Sequence, residues 1–154
     1  MFRTPGPFVY GALIVGAVLD AESQKQETFK ETIAGIVITI VLLWLAHTYA
    51  QIMGHRLEKG EHLSIRLVAE NMAEEFAILT GAGLPLLVVL IWWAGGAHLD
   101  SALSAGVWTA AITIIAANVL AGFRAKLSGA DLVFQTSIGA FLGLGILVLK
   151  LIYH

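Results

Sequence analysis

Residues 101–123 read SALSAGVWTAAITIIAANVLAGF, a long segment that carries no charge and repeats small side chains at every fourth position. Helices in lipid associate through close backbone approach, because lipid tails are as apolar as the side chains and provide no hydrophobic drive. A helix with one row of small residues, beside a second row that is small at all but one or two positions, needs neighbours around most of its circumference, so we expect it at the centre of a helical bundle. The first row is Ser101, Ala105, Thr109, Thr113, Ala117 and Ala121, and the second is Ala102, Gly106, Ala110, Ile114, Asn118 and Gly122.

The composition of the whole chain indicates a membrane protein. Of its 154 residues, 58% are hydrophobic and 13% are charged, and the mean hydropathy is +0.83. Soluble domains carry about 25% charged residues, so this chain has too little polar surface to stay soluble. The charges also cluster between long uncharged segments, which is typical of a protein that crosses the bilayer several times. A very hydrophobic soluble bundle is the alternative.

The same composition excludes several functional classes. A net charge of −2 provides no basic field for nucleic acid. The chain contains no cysteine, which removes disulfides, thiol redox chemistry, iron–sulfur clusters and cysteine-based zinc sites. We find no recognisable catalytic set, so we predict no catalytic residue and no cofactor. Whether the chain is an enzyme stays open, and a non-enzyme is favoured.

We predict an all-α membrane protein, a bundle of five transmembrane helices in one domain of residues 1–154. The first segment is short, because Pro5 and Pro7 restrict its start and Asp20 follows its last apolar residue. It is either a short tilted span that packs through Gly11 and Gly16 or a re-entrant half-helix buried by protein. The short span is favoured. The predicted spans are about 7–21, 31–54, 76–97, 101–123 and 131–151.

An amphipathic interfacial helix is predicted over about 64–79, SIRLVAENMAEEFAIL, where it runs into the third span. Ile65, Val68 and Met72 begin an apolar row at helical spacing, while charged residues occupy another face. We expect Glu70, Glu74 and Glu75 on the wet face of this helix.

The orientation follows from the lysines and arginines of the connecting loops, which concentrate on the cytoplasmic side. If the first segment crosses, six of these charges lie on one side and three on the other. If it is re-entrant, the division is five to four. Both counts place the loops at 56–66 and 124–126 in the cytoplasm, and the location is a bacterial inner membrane crossed several times.

Small residues predict further contacts between helices. Gly139 and Gly143 form a GxxxG arrangement in the last span, which serves packing either within the chain or between subunits. Five short helices bury few side chains in one subunit. We therefore expect a homo-oligomer in the lipid bilayer, with a larger membrane complex as a further partner to consider.

Polar side chains within spans are costly in lipid and are therefore candidates for function. His47 lies deep in the second span, and Gln51 follows one turn later on the same stripe. Because an imidazole titrates near neutral pH, His47 is a candidate proton gate or relay. The alternative is a hydrogen bond to a neighbouring helix. Asn118 either bonds across the bundle or lines a polar path.

The loop after the first segment carries an acidic cluster that includes Asp20, Glu22 and Glu31. Around an axis between subunits, such carboxylates form rings that draw cations. The alternative is a solvated loop with acids that cap helices. A metal site that uses His47 and His55 lacks the spacing of a known motif, so the metal is unknown.

Three stretches, FVYGALIVGAVLDAES (8–23), LLWLAHTYAQIMGHRL (42–57) and LSGADLVFQTSIGAFLGLGILVLKLIYH (127–154), resemble a family of small polytopic integral membrane proteins of actinobacteria. The resemblance covers most of the chain and implies a bacterial inner membrane. It implies no function and no site residues.

Three functions are consistent with the sequence. The first is an oligomeric ion or proton channel, or a small transporter, with His47 and Asn118 on its path. The second is a structural or accessory subunit of a larger membrane complex. The third is an intramembrane enzyme. A continuous polar path favours the first, burial of both residues against apolar neighbours favours the second, and a pocket joining His47 to Glu70 or Glu74 favours the third.

Overall fold

The protein is described here by a computed structural model, which covers residues 5–23, 28–59, 65–125 and 129–153. These residues form five helices and contain no strand, which confirms the all-α prediction. The helices are α1 (Pro5–Glu22), α2 (Phe29–Lys59), α3 (Ile65–Ala94), α4 (Leu99–Arg124) and α5 (Gly129–Tyr153).

Among the described residues, three helices are long and apolar enough to cross a membrane. The candidate spans are Phe29–Gly54 in α2, Val68–Ala94 in α3 and Leu99–Arg124 in α4. Crossing by α1 and α5 stays a prediction, as does the interfacial helix. The segment predicted to be interfacial continues into the apolar half of α3 without a break, since one helix runs from Ile65 to Ala94.

Local hydrogen bonds explain where α2 starts and where α3 ends. Glu31 caps the start of α2, because the backbone N–H and the hydroxyl of Thr28 both donate to its Oε2 atom, at 3.0 and 2.7 Å. Gly96 ends α3 at φ +90°, where a side chain is disfavoured. The N–H groups of Gly96 and Ala97 then donate back to the carbonyls of Trp93 and Trp92, and this Schellman turn starts the connection to α4.

Helix α1 is the shortest helix and contacts all four others. Its closest neighbour is α3, because a glycine lies on each side of the contact. The Cα of Gly11 lies against the backbone of Ile78, and the Cα of Gly81 lies against the backbone of Phe8, so neither position has space for a Cβ atom. The two backbones therefore touch directly.

The helices alternate in direction. Leu19, further along α1, lies with Val89 of α3 against Gly106 of α4, so α1 and α3 run in the same direction. The Trp92 indole N–H donates to the Ser101 hydroxyl at 3.3 Å, and Gly106 lies near the Pro85 carbonyl, so α4 is antiparallel to α3. Helix α1 spans about 27 Å, close to the ~30 Å of a hydrocarbon core, and lies alongside the apolar half of α3.

The core lies mainly between α1, α3 and α4. Both α1 and α4 are central helices of the bundle, because each packs on at least three others. Helix α4 packs against α1, α3 and α5 and leaves one apolar side exposed, with Trp108 and Ile112 on it. Its second small row contributes more burial than its first. The fully or nearly fully buried core residues include Ala12, Val15, Leu19, Ile36, Ala82, Val89, Ala102, Leu103, Val107, Ala110 and Ile114.

Helix α5 packs on α4 through the predicted GxxxG residues. A Cβ atom at Gly139 would lie 2.6 Å from the Cβ and Cγ atoms of Asn118, and one at Gly143 would lie 3.1 Å from the Ala111 carbonyl oxygen. Both glycines therefore serve packing within the chain.

Exchanging the residues of the α4–α5 contact tests it directly. We expect Gly139→Ala to destabilise the fold by about 1–3 kcal/mol, because the added methyl collides with Asn118. Asn118→Gly also destabilises, yet the double variant N118G/G139A should recover part of the loss, since the methyl then has space. The measurement is thermal unfolding in detergent. Gly145→Ala is the control, because nothing lies within 4 Å of that position. Additive losses in the double variant would contradict the contact.

Candidate functional site

Polar side chains from three helices meet at the end of the bundle where α1 begins. His47 Nε2 of α2 lies 3.4 Å from Glu75 Oε2 of α3. The same nitrogen lies 3.4 Å from Gln51 Nε2, one turn further along α2. The ring of Tyr10 of α1 covers the imidazole, with a centroid distance of 5.0 Å and a tilt of 32°. We call these four residues the His47–Glu75 cluster.

Glu75 is the most constrained member of the cluster. Its side chain is 11% exposed, against 28% for His47. Among the described residues, no donor completes a hydrogen bond to Glu75 Oε2. His47 Nε2 lies close enough to this oxygen for an ion pair but is long for a hydrogen bond. A buried carboxylate is costly unless it is protonated or paired with a cation. Within the described part of the chain, His47 is a basic side chain that lies within ion-pair distance of this carboxylate.

The two contacts of His47 Nε2 require different proton states. An unprotonated Nε2 presents a lone pair, which accepts from the Gln51 amide or from a protonated Glu75. A protonated Nε2 presents N–H, which can donate only to the Glu75 carboxylate.

Helix register explains why these residues meet. Phe29 at the start of α2 stacks on Trp93 at the end of α3, with ring centroids 3.6 Å apart and planes 6° apart. His47 and Glu75 are equally distant from this stack along their antiparallel helices, by about five turns. The aromatic contact at one end therefore aligns the polar contact at the other.

The prediction that Glu75 lies on the solvent-exposed face at the start of α3 is wrong. Glu70 is exposed, but Glu75 and Asn71 are buried, and the side chain of Glu74 lies outside the described residues. The buried stripe of Ile78 and Ala82 extends back by one turn to Glu75. That spacing was visible in the sequence, but the charge made the position look solvated. The carboxylate that lies against His47 is that of Glu75, whereas Glu70 is exposed.

The other polar candidates lie apart from this cluster. Asn118 donates to the Ile114 carbonyl at 2.9 Å and packs on Gly139, so its amide serves its own helix and the α5 contact. Asp20 is buried at the far end of α1, where its carbonyl accepts from the Ser23 hydroxyl. Glu22 is partly buried, while Glu31 caps α2. The core cluster between α1, α3 and α4 consists of apolar side chains.

The packing candidates occupy several environments. Gly11 touches the backbone of α3, and Gly16 and Thr113 are buried. Ala105 and Thr109 are half-buried, and the Thr109 hydroxyl donates to the Ala105 carbonyl at 2.7 Å. Ala117 lines a groove on the outside of α4.

No metal centre emerges from the part of the chain that is described: no three His, Asp or Glu side chains there converge on one point. The side chain of His55, which the sequence offered as a ligand beside His47, lies outside the described residues.

Comparisons with protein-family models, with curated proteins and with solved structures gave no match to this chain. The function is therefore inferred from the geometry of the His47–Glu75 cluster.

Proposed function

We propose that this chain is a small integral membrane protein that exchanges protons at the His47–Glu75 cluster, as a subunit of a proton channel or a small proton-coupled transporter. The observation that carries the proposal is a buried carboxylate at the entrance of an apolar helix, 3.4 Å from an imidazole of a second helix. Ionisable pairs inside membrane helices mark proton relays and ion paths.

The proton path, in this proposal, runs between copies of the chain. The described interior between α1, α3 and α4 is filled with apolar side chains. Among the described residues, α2 packs mainly on α3 and α1, and Gln51 and part of His47 are exposed. A neighbouring subunit on this side would enclose the cluster, which favours a homo-oligomer. All five helices cross a bacterial inner membrane, and the loops at 56–66 and 124–126 lie in the cytoplasm.

Proton flux into proteoliposomes tests the proposal. We expect the wild-type protein to conduct protons above empty liposomes and Glu75→Gln to lower that flux at least tenfold, because an amide keeps the shape of the side chain but cannot exchange a proton. His47→Ala should change the dependence of flux on pH between 5 and 8.

Two matched controls separate this effect from general damage. Glu70→Gln removes an exposed carboxylate from the same helix, and His98→Ala removes an exposed histidine from the α3–α4 turn; both should retain wild-type flux. Melting in detergent verifies that each variant is folded. Equal flux in wild type and a folded Glu75→Gln would contradict the proposal.

The second candidate is an accessory subunit of a larger membrane complex. It is favoured by the sealed apolar interior and by the lipid-facing side of α2, where Val37, Ile38 and Leu42 are exposed. In that case the His47–Glu75 contact holds α2 on the bundle and conducts nothing. Absence of flux at every pH and potential tested, with co-purification of a partner, would favour this function.

A further inference from the structure

Two polar atoms on neighbouring helices, one donor and one acceptor, are buried without a hydrogen-bond partner among the described residues. They are the indole nitrogen Nε1 of Trp44 in α2 and the carboxylate oxygen Oε2 of Glu75 in α3. Buried polar atoms of folded proteins nearly always have a partner, either in the protein or in an ordered water molecule. We propose that Trp44 and Glu75 together bind one internal water molecule, which accepts from the indole N–H and bonds to the Glu75 carboxyl group.

The register of α2 on α3 places the two side chains one turn apart. The helices are antiparallel and meet at His47 and Glu75. Trp44 stands three residues before His47 in α2, level with the turn of α3 that follows Glu75. Three residues of helix rise about 4.5 Å. A water molecule with two hydrogen bonds of about 2.8 Å spans up to about 5.6 Å, so it reaches from one turn to the next.

Both side chains belong to the buried stripes of their helices. Ile40 and Thr48, one turn before and one turn after Trp44, are buried, and the Thr48 hydroxyl donates to the Trp44 carbonyl at 2.8 Å. On α3, Glu75 continues the buried stripe of Ile78. The indole nitrogen is therefore enclosed by protein, where an unpaired donor is costly.

Glu75 is the acceptor that the register brings to Trp44. Within the described part of the chain, the third buried side-chain atom that lacks a partner is the hydroxyl oxygen of Thr32. Thr32 lies twelve residues before Trp44, which is about 18 Å along α2 and beyond the reach of one water molecule. The donor on α2 and the acceptor on α3 are thus complementary, and two polar partners are enough to hold a buried water molecule.

The chemistry of Glu75 favours water over a direct bond from the indole. An indole N–H only donates, whereas a water molecule both donates and accepts. It donates to the Glu75 carboxylate, and it accepts from the O–H of the protonated carboxyl group. One bound water molecule therefore serves both proton states of Glu75. This role rests on the proposed function, while the binding of the water molecule does not.

The test detects the water molecule by the nuclear Overhauser effect, in the full chain with isotope-labelled tryptophan in detergent. The chain has four tryptophans, and Trp44→Phe identifies which indole signal belongs to Trp44. We expect this signal to show a dipolar cross-peak with water. A rotating-frame spectrum separates the cross-peak from hydrogen exchange, because the two effects have opposite signs there.

Substitutions of the acceptor show whether Glu75 holds the water molecule. Glu75→Leu removes both carboxyl oxygens at similar volume and should abolish the cross-peak. Glu75→Gln keeps one oxygen that accepts from water and should retain it. Glu70→Leu makes the same change at an exposed carboxylate of α3 and should leave the cross-peak as in wild type. The other three indole signals verify that each variant is folded.

Three outcomes would overturn the proposal. They are the absence of a dipolar cross-peak in the wild-type protein, a cross-peak that survives Glu75→Leu, and loss of the cross-peak in Glu75→Gln, which still has an acceptor. If the wild type lacks the cross-peak but the Trp44 signal shifts in Glu75→Leu, the indole donates directly to Glu75 and the water molecule is refuted. A water cross-peak in a protein without proton flux would refute the proposed function alone, and flux without the cross-peak would refute the water molecule alone.

Discussion

Gly81→Ala is expected to prevent stable folding, whereas Gly83→Ala, two residues along the same helix, should be tolerated. An alanine Cβ at position 81 would overlap the backbone carbonyl of Phe8 in α1, while nothing lies within 4 Å at position 83. Backbone atoms cannot rotate away as a side chain can, so α1 and α3 would have to separate. We expect a loss of about 3 kcal/mol or more in the first variant. In the second, replacement of a helical glycine gives a gain of up to about 1 kcal/mol.

The measurement is thermal or denaturant unfolding in detergent, together with the yield of folded protein. The α1 side of the same contact provides a second pair of variants. Gly11→Ala would overlap the backbone of Ile78, and Gly6→Ala meets nothing within 4 Å. Equal stability of Gly81→Ala and Gly83→Ala would show that α1 does not lie directly on α3.

The small-residue pattern predicted the character of α4 but not its neighbours. Rows of Gly, Ala, Ser and Thr report that a helix is approached closely, and α4 is packed on three helices. They do not report which helix approaches. The contact of Gly106 with both Leu19 and Val89 depends on long-range pairing, which the sequence alone does not reveal.

The position of α1 was the least accessible from sequence. The sequence predicted a short packed span or a buried re-entrant helix, but it did not predict that α1 contacts every other helix. The reason is that Gly11 and Gly81 bring two backbones together, and each glycine has meaning only beside the other. Only Gly11 entered the sequence prediction as a packing residue.

The sequence predicted two of the four residues of the His47–Glu75 cluster. His47 and Gln51 stood out because polar groups are rare in an apolar span. Glu75 did not, since a carboxylate among other carboxylates in a segment rich in charge is normally solvated. Its burial follows from the register of α2 on α3, which the Phe29–Trp93 stack aligns. Tertiary pairing thus changes the role of Glu75 from a surface charge to a buried partner.

We predict that α1 crosses the whole membrane. The alternative, a re-entrant α1, places residue 6 on the other side, so the two cases are easily distinguished. Helix α1 lies parallel to α3 along its apolar half, so Gly6 should lie at the Glu75 end of the bundle and Ser23 at the opposite end. If α1 crosses, a residue at position 6 shares a side with Ala125. If α1 is re-entrant, the number of crossings between the two positions is odd, and they lie on opposite sides.

Labelling of single-cysteine variants measures the side on which each position lies. It has no background from native cysteines, because the chain contains none. We expect a membrane-impermeant maleimide to label Ser23→Cys in intact cells, and Gly6→Cys and Ala125→Cys only after permeabilisation. Gly6 has nothing within 4 Å and Ala125 is exposed, so both substitutions should be tolerated. Ser23→Cys and Ala125→Cys lie on opposite sides in either topology and serve as internal controls. Labelling of Gly6→Cys together with Ser23→Cys in intact cells would establish the re-entrant form, because both ends of α1 would then lie on the same side of the membrane.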